Sequence, residues 1–271
     1  MNEVLFYPDP PIQLPGHTLS KTIKYFQLCG YKPTNDITSD WFIGVHWDIR
    51  DVNTIPDIFI DDNRLVLNVK LTDVTKSNVD KVFTRVFGYS SMADTDAFGY
   101  CVRKGENQSA HDGEIIKTPC KREPGYIYQI LIDNRSSLQM VCDIRVPIFL
   151  GEIPEIFMKH KSIEGTFEFA NSKHRDYYLI LPDEVLSASE QDKIKLFCKE
   201  IGLDLGEVDV LRDNSTGLIY IIDVNNIPGG GIFDHIKDGD KVEKRLADYL
   251  KDLLPEPIKI NNGGYTGNFS I

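Results

Sequence analysis

The sequence predicts an α+β protein with two or three lobes, and the order of its helix and strand patterns is the reason. Residues 1–72 alternate strand and helix patterns, as a small α/β unit does. Residues 99–147 carry mostly strand patterns, and a helix followed by a strand hairpin comes after residue 187. This order predicts a cleft between lobes.

Composition excludes several classes of protein. The 271 residues are 41% hydrophobic and 26% charged, which fits neither disorder nor a coiled coil. A net charge of −11 argues against a sequence-independent nucleic-acid binder, because such binding needs clustered cations. No window approaches the roughly 18 apolar residues that cross a bilayer, and the first residues lack a signal-peptide pattern. We therefore expect a cytoplasmic protein without a membrane partner.

The elements of the first 72 residues follow from short apolar runs and their breakers. Leu19, Ile23 and Phe26 recur at helical spacing before Gly30, which predicts a helix that ends there. A segment rich in Asp, Asn and Pro predicts a loop over 48–62. The predicted strands of this unit are 4–7, 41–45 and 65–69.

The remaining elements are predicted in the same way. Apolar residues on one face predict an amphipathic helix over 75–88, ended by Gly88. Ser187 and Glu190 have the spacing of a capping box, which predicts a helix over 187–201, and a last helix is predicted over 241–254. The predicted strands are 100–104, 114–117, 126–132, 138–148, 208–212 and 218–224. Five cysteines without CxxC spacing are expected to be reduced and mostly buried.

The hairpin of the last two strands carries the most informative pattern. If its turn is symmetric about Thr216, residues whose numbers sum to 432 face each other, so that Asp209 opposes Asp223. Asn225 then shares their face, because side chains alternate along a strand. Like charges in direct opposition are destabilising unless something compensates them, and hard oxygen donors suit Mg²⁺. The alternative is a solvated strand face.

Four segments resemble, in order, the motifs of the ATP-grasp enzymes, over residues 75–230. The resemblance is nearest to carboxylate-amine ligases such as ribosomal-protein glutamate ligases and glutathione synthetases. The segments are Cys101-Val-Arg-Lys104 with the loop Gly105 to Gly113, Tyr128-Gln-Ile-Leu-Ile132, Asp143-Ile-Arg145, and Gly206-Glu-Val-Asp209 with Asp223-Val-Asn225-Asn-Ile-Pro228-Gly229. Asp223 stands where Glu is more usual in the family.

The resemblance implies an ATP-grasp fold with three parts. They are a small N-terminal α/β domain over 1–72, a small lobe over 73–133, and a large lobe with the metal site over 134–271. It also implies ATP and Mg²⁺ as cofactors, and a reaction in which a carboxylate attacks the γ-phosphorus before an amine captures the acyl phosphate. The substrates implied are a small-molecule or peptide carboxylate and an amine. A homodimer is common among relatives.

Residue roles are carried over on the matching positions. The metal ligands implied are Asp209, Asp223 and Asn225, and the catalytic residue is Arg145, on the transferred phosphoryl group. The nucleotide-binding residues implied are Lys76, Lys104, Gln129, Leu131 and Ile132, with Lys81 as the alternative to Lys76. Arg103 is expected on the opposite strand face from Lys104.

Several alternatives stay open at this stage. A kinase of the same fold would phosphorylate a small-molecule or sugar hydroxyl, and a non-catalytic module would only bind nucleotide. Arg145 could instead form a structural ion pair. The acceptor is expected near Gly16, His17 and His46, while His111 and Asn171 are weaker candidates. Between Phe167 and Asn171 the chain lacks the Arg of the glutamate-ligase branch.

Overall fold

The computed structural model describes residues 2–9, 20–60, 63–107, 112–163 and 175–255. Its first sheet is parallel, with the strand order β2-β1-β3-β4. The elements of this part are β1 (Glu3–Pro8), α1 (Lys21–Leu28), β2 (Lys32–Thr34), β3 (Trp41–Trp47) and β4 (Leu65–Leu67). The sequence did not predict β2, which is short and contains a proline. One 3₁₀ turn, Asp57–Phe59, interrupts the predicted loop.

A three-stranded antiparallel sheet forms the second part, in the order β6-β5-β7. Its elements are α2 (Lys76–Phe87), β5 (Gly99–Gly105), β6 (Glu114–Thr118) and β7 (Tyr126–Ile130). Helix α2 ends as predicted at Gly88, which has φ +88° and can adopt this left-handed conformation without strain.

The third part is a larger antiparallel sheet, in the order β11-β10-β9-β12-β13, with β8 paired to β9. Its elements are β8 (Arg135–Ser137), β9 (Met140–Phe149), β10 (Ile156–Ser162), β11 (Arg175–Ile180), α3 (Pro182–Val185), α4 (Ala188–Ile201), β12 (Leu205–Arg212), β13 (Ile219–Asn225) and α5 (Gly239–Leu253). The sequence did not predict β8, β10, β11 or α3. The capping box is present, because Glu190 N donates to Ser187 Oγ and Ser187 N donates to Glu190 Oε2.

Two large apolar clusters hold the parts together. Side chains of α2 and α4, such as Phe83 and Phe197, pack on one face of the large sheet. The second cluster joins the parallel sheet and α1 to the C-terminal helix α5, where Leu246 and Leu250 are buried. Helix α5 therefore packs against the parallel sheet and α1, which fixes that sheet next to β9 and β12.

The cysteines agree with the sequence prediction. All five cysteines are free thiols, and three of them are buried. Among the described residues, no helix has the length and apolar character needed to cross a membrane.

Candidate active site

Three charged side chains lie in a row across the large sheet. In the pairing of β9 with β12, Arg145 is opposite Asp209, and in the pairing of β12 with β13, Asp209 is opposite Asp223. The predicted facing of the two aspartates is therefore correct. Asn225 shares their face, while Val208 and Val224 belong to the apolar cluster on the other face.

A β-bulge sets this register, and the sequence did not predict it. Close to the turn the paired residue numbers sum to 431, as for Arg212 with Ile219, so the predicted symmetry about Thr216 is wrong there. Ile222 is the extra residue, and beyond it the sum becomes 432. Without the bulge Asp209 would oppose Ile222. The one-residue shift is what brings the two carboxylates to the same level.

Arg145 neutralises Asp209 directly. Its Nε donates to Asp209 Oδ1 at 2.8 Å and its Nη2 donates to Oδ2 at 2.9 Å, which is a bidentate ion pair. Its Nη1 also lies 3.6 Å from Oε2 of Glu207. The structural ion pair considered as the alternative for Arg145 is therefore present. Arg145 compensates the charge of Asp209 without a metal ion. The predicted contact of Arg145 with a phosphoryl group stays a prediction.

The two aspartates have opposite pKa shifts. Burial raises the pKa of Asp209, but the Arg145 guanidinium outweighs it and holds the pKa well below its usual range. Burial, followed by the charge of Asp209, raises the pKa of Asp223, and Lys104 and Lys76 only partly offset these effects. In the described residues, the Asp223 carboxylate accepts a hydrogen bond only from the backbone N–H of Val224 at 3.1 Å. It is the carboxylate most available to a cation.

Lys104 and Lys76 approach this carboxylate from the second part of the chain. Lys104, at the end of β5, is 9% exposed, and its pKa is lowered to about 8, first by burial and then by Lys76, against the opposing charges of Asp223 and Asp209. Lys76 Nζ donates to the carbonyl oxygens of Asn107 and, at 3.4 Å, of Glu106. Lys76 thus anchors the start of the predicted glycine loop, part of which lies outside the described residues.

Arg103 confirms the expected alternation along β5. Its guanidinium donates to Glu114 and Glu123 on the opposite face, and it lies over the Tyr126 ring at 4.8 Å. Only Lys104 of the two faces the aspartates.

The predicted adenine hinge lies at the end of β7. Gln129 is buried, and its Nε2 donates to Ser91 Oγ at 3.1 Å. Leu131 and Ile132 follow the strand, and Ile132 belongs to the apolar cluster under the large sheet. These residues connect the three-stranded sheet to the large sheet, which carries the charged row. Their contact with adenine stays a prediction.

Two residues of the site were missed by the sequence analysis. Glu207 is opposite Asn225 and two residues from Asp209, so the same alternation could have placed it on this face. Lys21, at the start of α1, forms a buried ion pair with Glu207, and its Nζ lies 4.9 Å from the centre of the Phe157 ring. No local pattern in the sequence points to Lys21, because its position depends on how α1 packs against the large sheet.

The other candidates lie elsewhere or outside the described residues. His46 is buried, its Nδ1 lies 3.2 Å from the carbonyl oxygen of Asn68, and burial lowers its pKa. The buried imidazole of His46 is therefore not accessible to a substrate. Gly16, His17, His111 and Asn171 lie outside the described residues.

The predicted donor set fits a hard divalent cation that takes its remaining ligands from water and phosphate. No group of three or more His, Cys, Asp or Glu side chains with metal-binding geometry occurs in the described ranges. The predicted set has two carboxylates and one amide, and the Nδ2 of Asn225 lies 3.4 Å from Asp209 Oδ2, leaving its amide oxygen for other partners. Two carboxylates with an amide oxygen match Mg²⁺, which keeps several water and phosphate ligands.

Comparison with solved structures identifies the fold. The chain is similar to the ATP-grasp ligase PsnB in complex with minimal precursor, Mg and ADP (TM-score 0.56, 12% identity, 92% of this chain and 95% of that chain). It is also similar to D-alanine–D-alanine ligase from Bacillus anthracis complexed with ATP (TM-score 0.54, 11% identity, coverage 93% and 95%). A third similar structure is a RiPP-associated ATP-grasp ligase from Chryseobacterium gregarium, with ADP and a leader and core peptide (TM-score 0.51, 11% identity, coverage 94% and 98%).

Two further complexes of PsnB match over 64% and 63% of that chain, with TM-scores of 0.47 and 0.49. No protein-family profile matches the sequence, and no curated protein matches it either. At these low identities the similarity establishes the fold alone: the chain has the ATP-grasp fold, as its motifs predicted.

Proposed function

We propose that this protein is an ATP- and Mg²⁺-dependent ligase that joins a carboxylate to an amine through an acyl phosphate. The observation that carries the proposal is the meeting of Lys104 and Lys76 with Asp223 and the Arg145–Asp209 pair, in an ATP-grasp fold. The similar structures named above include ligases bound to ATP, to ADP and to peptides, which supports the substrate class.

Each residue has a role in this proposal. Lys76 and Lys104 hold the nucleotide phosphates, because ATP is an anion and the protein has a net charge of −11. The backbone of Gln129, Leu131 and Ile132 binds adenine. In the proposed site Asp209, Asp223 and Asn225 hold Mg²⁺, which when bound reduces the charge on the transferred phosphoryl group.

The proposed chemistry has two steps. A carboxylate oxygen attacks the γ-phosphorus, the bond from that phosphorus to the β,γ-bridging oxygen breaks, and ADP leaves. The amine nitrogen then attacks the carbonyl carbon, the bond to the phosphate oxygen breaks, and the amine loses a proton. Arg145 stabilises negative charge on the transferred phosphoryl group. This role requires the guanidinium to direct one or more of its N–H groups away from Asp209 and toward the phosphate.

Isotope transfer tests this chemistry. A panel of amino acids and glutamyl peptides with ¹⁸O in their carboxylates is incubated with ATP, Mg²⁺ and hydroxylamine as the amine. We expect a hydroxamate product, ADP, and inorganic phosphate that carries one ¹⁸O atom. A phosphorylated product without phosphate release would identify the kinase alternative, and tight nucleotide binding without turnover of any substrate would identify a binding module.

Two variants test the residues. Asp223→Ala should abolish Mg²⁺-dependent ATP binding, whereas Arg103→Gln, on the opposite face of β5, should retain it. Unchanged Mg²⁺-dependent binding in Asp223→Ala would overturn the proposed metal site.

A further inference from the structure

A buried lysine that has no paired carboxylate among the described residues lies beside the charged row. Lys159 is on β10, in register with Asp143 of β9 and Tyr177 of β11, and it is 8% exposed. Its parity on the strand places it on the same sheet face as Arg145 and Asp209. The mechanism above gives it no role.

The carboxylates around Lys159 are already engaged. Asp143, directly opposite, pairs with Lys161 and accepts a hydrogen bond from Asn134 Nδ2 at 3.0 Å. Asp209 is held by both donors of the Arg145 fork. In the described part of the chain, Lys159 Nζ has no hydrogen bond or ion pair of its own.

The local charge is therefore unbalanced. Arg145 is paired with Asp209 and Lys161 with Asp143, which leaves Lys159 as the cation of this group without a paired carboxylate among the described residues. Burial first, and then the charges of Arg145 and Lys161, lower the pKa of Lys159 to about 8, so it is still mostly protonated at neutral pH. A largely buried lysine without a paired carboxylate is unfavourable, and an anionic ligand at its ammonium group would offset that cost.

The position of Lys159 distinguishes this anion from the nucleotide. Lys104 and Lys76 act on Asp223 of β13, whereas Lys159 is on β10, three strands away in the order β10-β9-β12-β13. At the usual strand spacing that separation is about 14 Å, with Arg145 between the two ends. An anion between Lys159 and Arg145 would lie beside the transferred phosphoryl group but apart from the Lys76 and Lys104 site.

We propose that Lys159, together with Arg145, binds the carboxylate group of the acyl substrate and holds it toward the γ-phosphate. This inference rests on the proposed function for the identity of the anion. In the first step the carboxylate loses one negative charge as it forms the acyl phosphate. Lys159 then remains beside the phosphoryl oxygens and stabilises the product of that step.

Nuclear magnetic resonance tests the proposal with acetate as the carboxylate probe. Lysine is labelled with ¹³C at Cε, and the Lys159 signal is the one missing from Lys159→Gln. Acetate is titrated at constant ionic strength with chloride as the balancing anion, with and without Mg²⁺ and a non-hydrolysable ATP analogue. We expect a saturable shift of the Lys159 signal that persists when the nucleotide analogue is bound.

Saturation transfer to the acetate methyl protons provides the matched comparison. Lys159→Gln should weaken acetate binding about tenfold or more, as expected for the loss of one charge-assisted hydrogen bond, and Lys159→Arg should restore part of it. Lys195→Gln, which removes a lysine of α4 that is paired with Glu152, should leave acetate binding unchanged. Thermal unfolding of each variant checks that it is folded.

The following outcomes would overturn the inference. An unmoved Lys159 signal, or the same shift with chloride, would remove the carboxylate site. A shift with inorganic phosphate but not with acetate would make Lys159 a phosphate ligand. Failure of the ATP analogue to bind in the same samples would instead count against the proposed function, and the acetate result would still be decisive for Lys159.

Discussion

Asp223 should be a residue that destabilises the free protein and is needed for nucleotide binding. It is opposite Asp209 across β12 and β13, and its nearest compensating charges, Lys104 and Lys76, only partly offset the effects that raise its pKa. Replacing it by Asn keeps the shape and removes the charge. We therefore expect Asp223→Asn to increase the free energy of unfolding and to weaken Mg²⁺-dependent ATP binding.

The magnitude follows from the geometry. Directly opposed residues have Cβ atoms about 5 Å apart, and two unit charges at that separation repel each other by about 3 kcal/mol at an effective dielectric constant of about 20. Arg145 neutralises much of the Asp209 charge, so the expected gain in stability is about 1 kcal/mol. Asp223 has a native pKa above its unfolded value, so the wild type loses stability as pH rises through that range. Below the unfolded pKa, the Asp223 carboxyl is protonated in both the folded and the unfolded protein, and the stability advantage of Asn disappears.

Urea unfolding followed by circular dichroism, without Mg²⁺ or nucleotide, measures the stability at several pH values. Asp209→Asn is the matched control, because the same change there leaves Arg145 buried without its partner and should cost about 3 kcal/mol. Calorimetric titration of ATP with and without Mg²⁺ measures binding. A loss of stability in Asp223→Asn at neutral pH, or undiminished Mg²⁺-dependent binding, would refute this reasoning.

Three further predictions concern other parts of the chain. ATP affinity should fall as pH rises through about 8, where Lys104 loses its proton, and Lys104→Gln should bind more weakly with a flatter pH profile; an equally steep profile in the variant would assign the titration to another group. Lys21→Met should destabilise the protein by about 3 kcal/mol in urea unfolding, and adding Glu207→Leu should recover most of the loss, because the pair is buried; additive losses would contradict the pairing. Ser187→Ala should cost about 1 kcal/mol through the lost helix cap and leave ATP affinity unchanged by calorimetry; a change in affinity would mean that α4 influences the site.

Local patterns were sufficient for the elements with strong signals. The helices ending at Gly88 and beginning after Ser187 were predicted because their caps are local hydrogen-bonding arrangements. Strands β10 and β11 were not predicted because charged residues interrupt the expected apolar alternation. They are Lys159 and Lys161 in β10, and Arg175 and Asp176 in β11. Lys159 and Lys161 share the sheet face of Arg145 and Asp209, which only the strand order and register reveal.

The sequence by itself determined the ATP-grasp resemblance, because motif order is a property of the chain. It also predicted the facing of Asp209 and Asp223, but that facing depends on the bulge at Ile222, which the sequence did not predict. Only the tertiary structure decided what surrounds them. The pairing of Arg145 with Asp209, the insertion of Lys21 against Glu207 and the position of Lys159 opposite Asp143 all bring together residues from separate elements of the chain. Their partners depend on strand order and helix docking, which short-range patterns do not encode.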